Sequence, residues 1–95
     1  MNFDKKEFLK TKLGKQIKHC IKCWDEALIN EQTETDALIR SEYIKRCIWY
    51  QGQWQAYKSA LKHFTGMEYD LSRNKGYFGL INMKDGSDWL FKIKR

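Results

Sequence analysis

A chain of 95 residues carrying four Trp, five Tyr and five Phe, with 32% charged side chains, is long enough for one small core and too aromatic for disorder. No apolar run approaches the ~18 residues that would span a bilayer, and the amino-terminal stretch MNFDKKEFLKTKLGK is charged throughout, with no signal-type apolar segment. Those features point away from a membrane and toward a cytoplasmic protein. Cysteine usage agrees, because three thiols cannot all pair within one chain. The net charge of +6 is unevenly spread. Residues 25–42 hold six acids and one Arg, whereas residues 43–65 hold four bases and no acid. A basic protein with an acidic belt suits nucleic acid or a partner of mixed charge, and also simple solubility.

The first element is a helix over about 4–29. Leu9, Leu13, Ile17, Cys20, Ile21, Trp24 and Leu28 recur at steps of three and four and share one face. Asn2 or Asp4 caps its start, and Gly14, read as lying off the apolar face, weakens it only modestly. Lys12, Lys15, Lys18 and Lys22, with His19, form a basic stripe on the opposite side. The polar segment NEQTETD, residues 30–36, reads as a linker in which Thr33 and Asp36 have capping-box spacing and Thr35 is another cap candidate.

A second helix is expected over about 35–64. Tyr43, Cys47, Tyr50, Trp54, Tyr57, Leu61 and Phe64 alternate steps of four and three, and Gly66 ends the run. The seam stays in phase across Gly52, which favours one long helix over two. Tyr50, Trp54 and Tyr57 are read as core. Trp49 lies more than a right angle from that seam, near Leu38, Ala56 and Ala60, with Ile44 and Ile48 on a third side. Helix 2 is therefore apolar around much of its circumference. Leu38, Trp49, Ala56 and Ala60 are the candidate partner contact, either at a homodimer or other protein interface or under the strands of a monomer.

After Gly66 the period falls to two. EYDLS, YFGLINM and DWLFKIK, separated by SRNKG and the Asp-Gly turn KDGS, read as a three-stranded antiparallel meander over about 67–95. Strict alternation places Trp89, Phe91 and Ile93 on one face and Leu90, Lys92 and Lys94 on the other. The expected architecture is a single α+β domain, two long helices packed on the meander.

The chemistry-bearing residues argue against catalysis. His19, Cys20 and Cys23 make a Cys-x-x-Cys pair with an adjacent imidazole, and Cys47 and His63 lie elsewhere. That is half of a zinc site, but it sits within a helix without a knuckle glycine or second pair, so the thiols are read as structural. No nucleophile elbow, phosphate loop or His-Glu-x-x-His occurs. The expectation is no enzyme, no metal, no cofactor and no small-molecule substrate. Nucleic acid is the alternative partner, through Lys12, Lys15, Lys18 and Lys22 along the helix and Arg73, Lys75, Lys92, Lys94 and Arg95 from the strands. Tyr77, Phe78 or Trp89 would then stack on unpaired bases.

The closing stretch YDLSRNKGYFGLINMKDGSDWLFKIKR resembles small accessory proteins of phages and mobile elements in Gram-positive bacteria. The resemblance covers about a third of the chain and implies a compact binder of host or phage machinery, including inhibitors of defence nucleases. A non-enzymatic protein-binding module is the expectation that follows.

Overall fold

A computed structural model describes residues 3–95, in the order α1 (Lys5–Lys10), α2 (Lys12–Thr33), α3 (Ala37–Thr65), β1 (Tyr69–Arg73), β2 (Tyr77–Asn82) and β3 (Asp85–Lys94). The fold is α+β, helices followed by an antiparallel sheet of strand order β1-β2-β3. Among the described residues, no helix is long and apolar enough to cross a membrane.

The first expected helix is two. Thr11 is extended (φ −71°, ψ 162°), ends α1 by donating its N–H to the Phe8 carbonyl, and caps α2 by accepting from Gly14 N–H at 3.0 Å. A threonine three residues before a glycine thus starts a new helix where periodicity alone continues the old one. Gly14 is buried, contrary to its expected place off the apolar face. The Phe8 carbonyl occupies the space a Cβ would need. Glycine is what lets α1 fold back onto α2 and bury Phe8. Asp4 caps α1 by accepting from Glu7 N–H, while Asn2 lies outside the described residues.

α2 runs to Thr33, and a three-residue loop, Glu34 to Asp36, turns the chain into α3. The cap is Asp36, which accepts from Leu38 and Ile39 N–H at 2.9 and 3.2 Å, so neither Thr33 nor Thr35 takes that role. α3 passes unbroken through Gly52 for 29 residues and ends at Gly66, whose φ of +73° is the left-handed turn glycine accepts most readily. The pairs Cys20–Tyr50 and Glu31–Arg40 set α2 and α3 antiparallel as a long hairpin. The molecule measures 50 × 25 × 23 Å, its long dimension suiting a 29-residue helix of roughly 43 Å.

The sheet covers one half of that hairpin. Ile17, Cys20 and Ile21 of α2, Trp54 and Leu61 of α3, Phe8, and Tyr69, Phe78, Leu80, Leu90 and Phe91 of the strands form the core. Trp54 is fully buried, and its indole N–H donates to Asp70 of β1 at 3.2 Å, satisfying the one polar atom it takes out of water. Phe64 departs from expectation, being 66% exposed. A 3.5-residue repeat on a straight helix drifts by ~20° per heptad, so the Tyr50–Tyr57–Phe64 edge of the seam turns away from Trp54 while Leu61 stays over the core. Phe64 instead meets the rings of Phe3 and Phe8, at centroid distances of 6.2 and 5.8 Å.

The meander also differs in detail. Met83 and Lys84 make the β2–β3 turn, and the Asp-Gly pair lies within β3. Leu80 faces Phe91 and Ile81 faces Trp89, so Leu90 is an extra residue, a β-bulge. Leu90 and Phe91 are both buried as a result, and Trp89 moves to the outer face expected for Leu90. There Trp89 meets Tyr77 edge-on at 5.4 Å, with the Lys92 ammonium above both rings. Gly79 lies against the bulge, where the Phe91 carbonyl fills the position of a Cβ.

Candidate protein-docking groove

The sheet stops at Asp25. This buried carboxylate on α2 accepts from Arg73 Nε at 2.5 Å and from Arg95 Nη2 at 2.8 Å, tying the ends of β1 and β3 to the middle of the hairpin. Two charged hydrogen bonds compensate the desolvation of Asp25. Periodicity gives no hint of this contact, since the partners lie 48 and 70 residues away. The only sequence signal is an acid on an otherwise apolar helix face.

Past Asp25 the hairpin has no third layer. Ile29, Leu38, Ile39 and Ile44 lie beyond the level of Asp25, and Ile48 and Trp49 lie about one turn to its other side; all six are exposed and make up most of the large apolar residues that are. Between the two helices runs a groove of about 380 Å³, lined by Trp24 and Leu28 of α2, Ile44, Cys47 and Ile48 of α3, with Glu31 and Gln51 at its rim. The opening pairs an apolar floor with one acid, and that acid is engaged by Arg40 at 3.1 Å. Burial, then Glu31 nearby, pushes the Cys47 thiol above its ordinary range, so the groove's sulfur is protonated and apolar at neutral pH. Next to it, across the last turns of α2, a second hollow of about 400 Å³ is lined by Ile29, Gln32, Arg73, Asn74, Lys75 and Arg95.

The sequence candidates separate into distinct regions. Leu38, Trp49, Ala56 and Ala60 all lie exposed on one face of α3, Leu38 at 82% and Trp49 at 59%. Trp49 lies outside the sheet's cover. Lys12, Lys15, Lys18 and Lys22 are exposed along α2 and make no ion pair among the described residues. The strand bases do not extend that stripe as one surface. Arg73 and Arg95 are engaged by Asp25, Arg95 also stacks over Phe78, and Lys92 rests on Tyr77 and Trp89. Lys75 and Lys94 are exposed. Of the three stacking candidates Phe78 is buried.

The sulfur and imidazole groups do not converge. Cys20 points inward, its S–H donating to the Tyr50 carbonyl at 3.7 Å, and burial pushes its thiol up to about 11. Cys23 Sγ lies 3.4 Å from His19 Nε2 on the same helix, while Cys47 sits in the groove. Among the described residues no three His, Cys, Asp or Glu side chains form a group able to hold a metal. Comparison with protein-family models, with curated proteins and with solved structures gives no match to the chain.

Proposed function

We propose that this protein is a non-enzymatic protein-binding module, and that the groove between its two long helices receives the apolar face of an amphipathic segment of a partner protein. The observation that carries the reading is the open groove between α2 and α3, floored by Trp24, Leu28, Ile44, Cys47 and Ile48. Contiguous apolar surface of this kind marks interaction sites on soluble domains. The occupant's chemistry follows from the lining. Apolar side chains fit between Trp24, Leu28, Ile44 and Ile48, and polar neighbours stay at the rim beside Glu31 and Gln51. An open trough of this shape suits recognition better than catalysis, which calls for converging groups in an enclosed pocket. Action by occupying a partner's surface also accommodates the inhibitory role that the phage-type resemblance implies.

A photo-crosslinking side chain at Ile48, used in the native cell and followed by nuclease treatment, tests the proposal. A captured protein should bind the purified chain, and Ile44→Glu with Ile48→Glu should weaken that binding by about a hundredfold or more. Nucleic acid is the second reading, favoured by the four exposed lysines of α2 that make no ion pair among the described residues. It prevails if the capture disappears with nuclease and if replacing Lys12, Lys15, Lys18 and Lys22 by Gln flattens the salt dependence of binding.

A further inference from the structure

The groove runs along one side of the α2–α3 seam, and the other side carries different chemistry. Viewed down α3, Ile44, Cys47 and Ile48 project to one side of Trp54, and Tyr50, Gln53 and Tyr57 to the opposite side. On that second side His19 and Cys23 lie one turn apart on α2, with Cys23 Sγ 3.4 Å from His19 Nε2. Tyr50 reaches them from α3. Burial, then a hydrogen bond with the Cys23 side chain, raises its phenol above the ordinary range. A hollow of about 240 Å³ opens beside the pair, lined by Gln16, His19, Trp49, Tyr50, Gln53 and Tyr57. The three thiols, all read as structural from the sequence, are therefore unlike. Cys20 is 2% exposed, donates to a carbonyl and has its thiol pushed up to about 11. Cys47 sits among the apolar side chains of the groove and has no imidazole partner. Cys23 combines partial access to water with a base in contact.

We propose that Cys23 is a thiolation site, at which His19 activates the sulfur toward a small anionic disulfide of the peptide-thiol class. The imidazole Nε2 takes the thiol proton, and the Cys23 thiolate attacks one sulfur of the disulfide. The reagent's S–S bond breaks as the new one to Cys23 forms. The released thiolate recovers the proton from the imidazolium, leaving a mixed disulfide on the protein and one free thiol in solution. The surroundings select the reagent. Lys15 and Lys22 flank the pair along α2 and make no ion pair among the described residues. Arg46 on α3 acts on the Tyr50 phenol. The acids on this side are Glu26, one turn beyond Cys23, and Glu42, which Lys45 engages. A carboxylate-bearing disulfide therefore meets an excess of positive charge. The amides of Gln16 and Gln53 and the rings of Trp49 and Tyr57 offer a peptide-like group both hydrogen bonds and apolar contact. The site is independent of the groove reading, because Cys23 and the groove residues Ile44, Cys47 and Ile48 lie on opposite sides of the seam.

Incubation of the reduced, folded chain with oxidised glutathione near neutral pH, followed by peptide mass mapping, tests the proposal. Cys23 should take the adduct at least about tenfold faster than Cys47, and Cys20 should stay free until the chain unfolds. His19 is exposed, so the fold tolerates its replacement. His19→Gln should slow Cys23 about tenfold and leave the Cys47 rate and the circular dichroism unchanged. Measured against the chain unfolded in urea, folding should favour oxidised glutathione over the cationic disulfide cystamine by about threefold or more. Lys15→Gln, Lys22→Gln and Arg46→Gln together should narrow that preference. Cys47 reacting as fast as Cys23 overturns the site, and so does a Cys23 rate that His19→Gln leaves intact. Equal effects of folding on the two disulfides overturn the anionic reagent. Partner capture at Ile48 that persists in Cys23→Ser leaves the groove reading standing whichever way the thiol test falls.

Discussion

The two halves of the α2–α3 hairpin are built from similar residues and meet different ends. In the near half Ile17, Ile21, Trp54 and Leu61 are closed off by the sheet and reach zero exposure. Toward the other end, from about the level of Asp25 outward, Trp24, Leu28, Ile44 and Ile48 line an open trough, and Leu38 and Trp49 face water. Two antiparallel helices share only one seam, so a hairpin carrying apolar residues on more than one side needs a further layer. The sheet supplies that layer as far as Asp25, where two arginines anchor its end. Beyond it the hairpin's apolar excess stays exposed. The comparison therefore assigns stability to the covered half and leaves the bare half as the place of the proposed binding.

The largest expected effect lies in a pair of tryptophans. Trp54→Ala empties a fully buried site and should cost about 3–5 kcal/mol in urea unfolding, whereas Trp49→Ala should change the monomer by less than about 0.5 kcal/mol. Equal losses would erase the distinction between the halves. Next is the boundary itself. Asp25→Leu leaves Arg73 and Arg95 without their shared acceptor, and because both arginines keep partial access to water the loss should be about 2 kcal/mol. Asp25→Leu should also speed amide exchange at the ends of β1 and β3 more than in the middle of β2, since those ends are what the carboxylate holds.

A third contrast uses two glycines of opposite character. Gly14→Ala drives a methyl into the Phe8 carbonyl, a backbone atom that cannot swing aside, and should destabilise by about 1–3 kcal/mol. Gly52→Ala on the open face of α3 should stabilise by up to about 1 kcal/mol, because alanine is the better helix former and has room. Thermal melts of both variants check the signs. A stabilising Gly14→Ala would mean that α1 does not pack as described.

Much of this architecture is legible in the residues. The three-and-four spacing from Leu9 to Leu28 and from Tyr43 to Leu61, then the change to period two after Gly66, specify the α+β order. The exposed face of Leu38, Trp49, Ala56 and Ala60 is legible too, because an angle on a helix is local information. What periodicity misses is set by hydrogen bonds and distant contacts. Thr11 breaks a helix through its own side-chain oxygen, and the bulge at Leu90 shifts Trp89 between faces by one residue. Asp25 draws in partners that no local pattern connects to it. The groove is equally hidden, since it forms only where Trp24 and Leu28 of one helix meet Ile44 and Ile48 of the other.

The smallest effect tests how the sheet is held to α3 in the near half. Burial alone would raise the Asp70 carboxyl, but the Leu71 backbone N–H, the Lys58 ammonium and the Trp54 indole together hold it below its ordinary range. The folded chain therefore keeps Asp70 ionised at pH values where the unfolded chain has begun to protonate it. Its contribution is complete above the unfolded value of roughly 3.9 and is lost as pH falls through the lower folded value. Asp70→Asn keeps an acceptor for Trp54 but removes the charge that meets Lys58 at 3.0 Å. With both partners about a third exposed, the ion pair is worth under about 1 kcal/mol. Urea unfolding of wild type and Asp70→Asn should show that difference at pH 7 and a smaller one near pH 3. The Lys5–Asp88 pair, whose carboxyl is likewise held low by Lys5 and then Asn82, is present in both chains and drops out of the comparison. A difference that stays constant over this range would show that the Asp70 charge does not hold β1 against α3, and would leave the Trp54 hydrogen bond and apolar contact as the attachment.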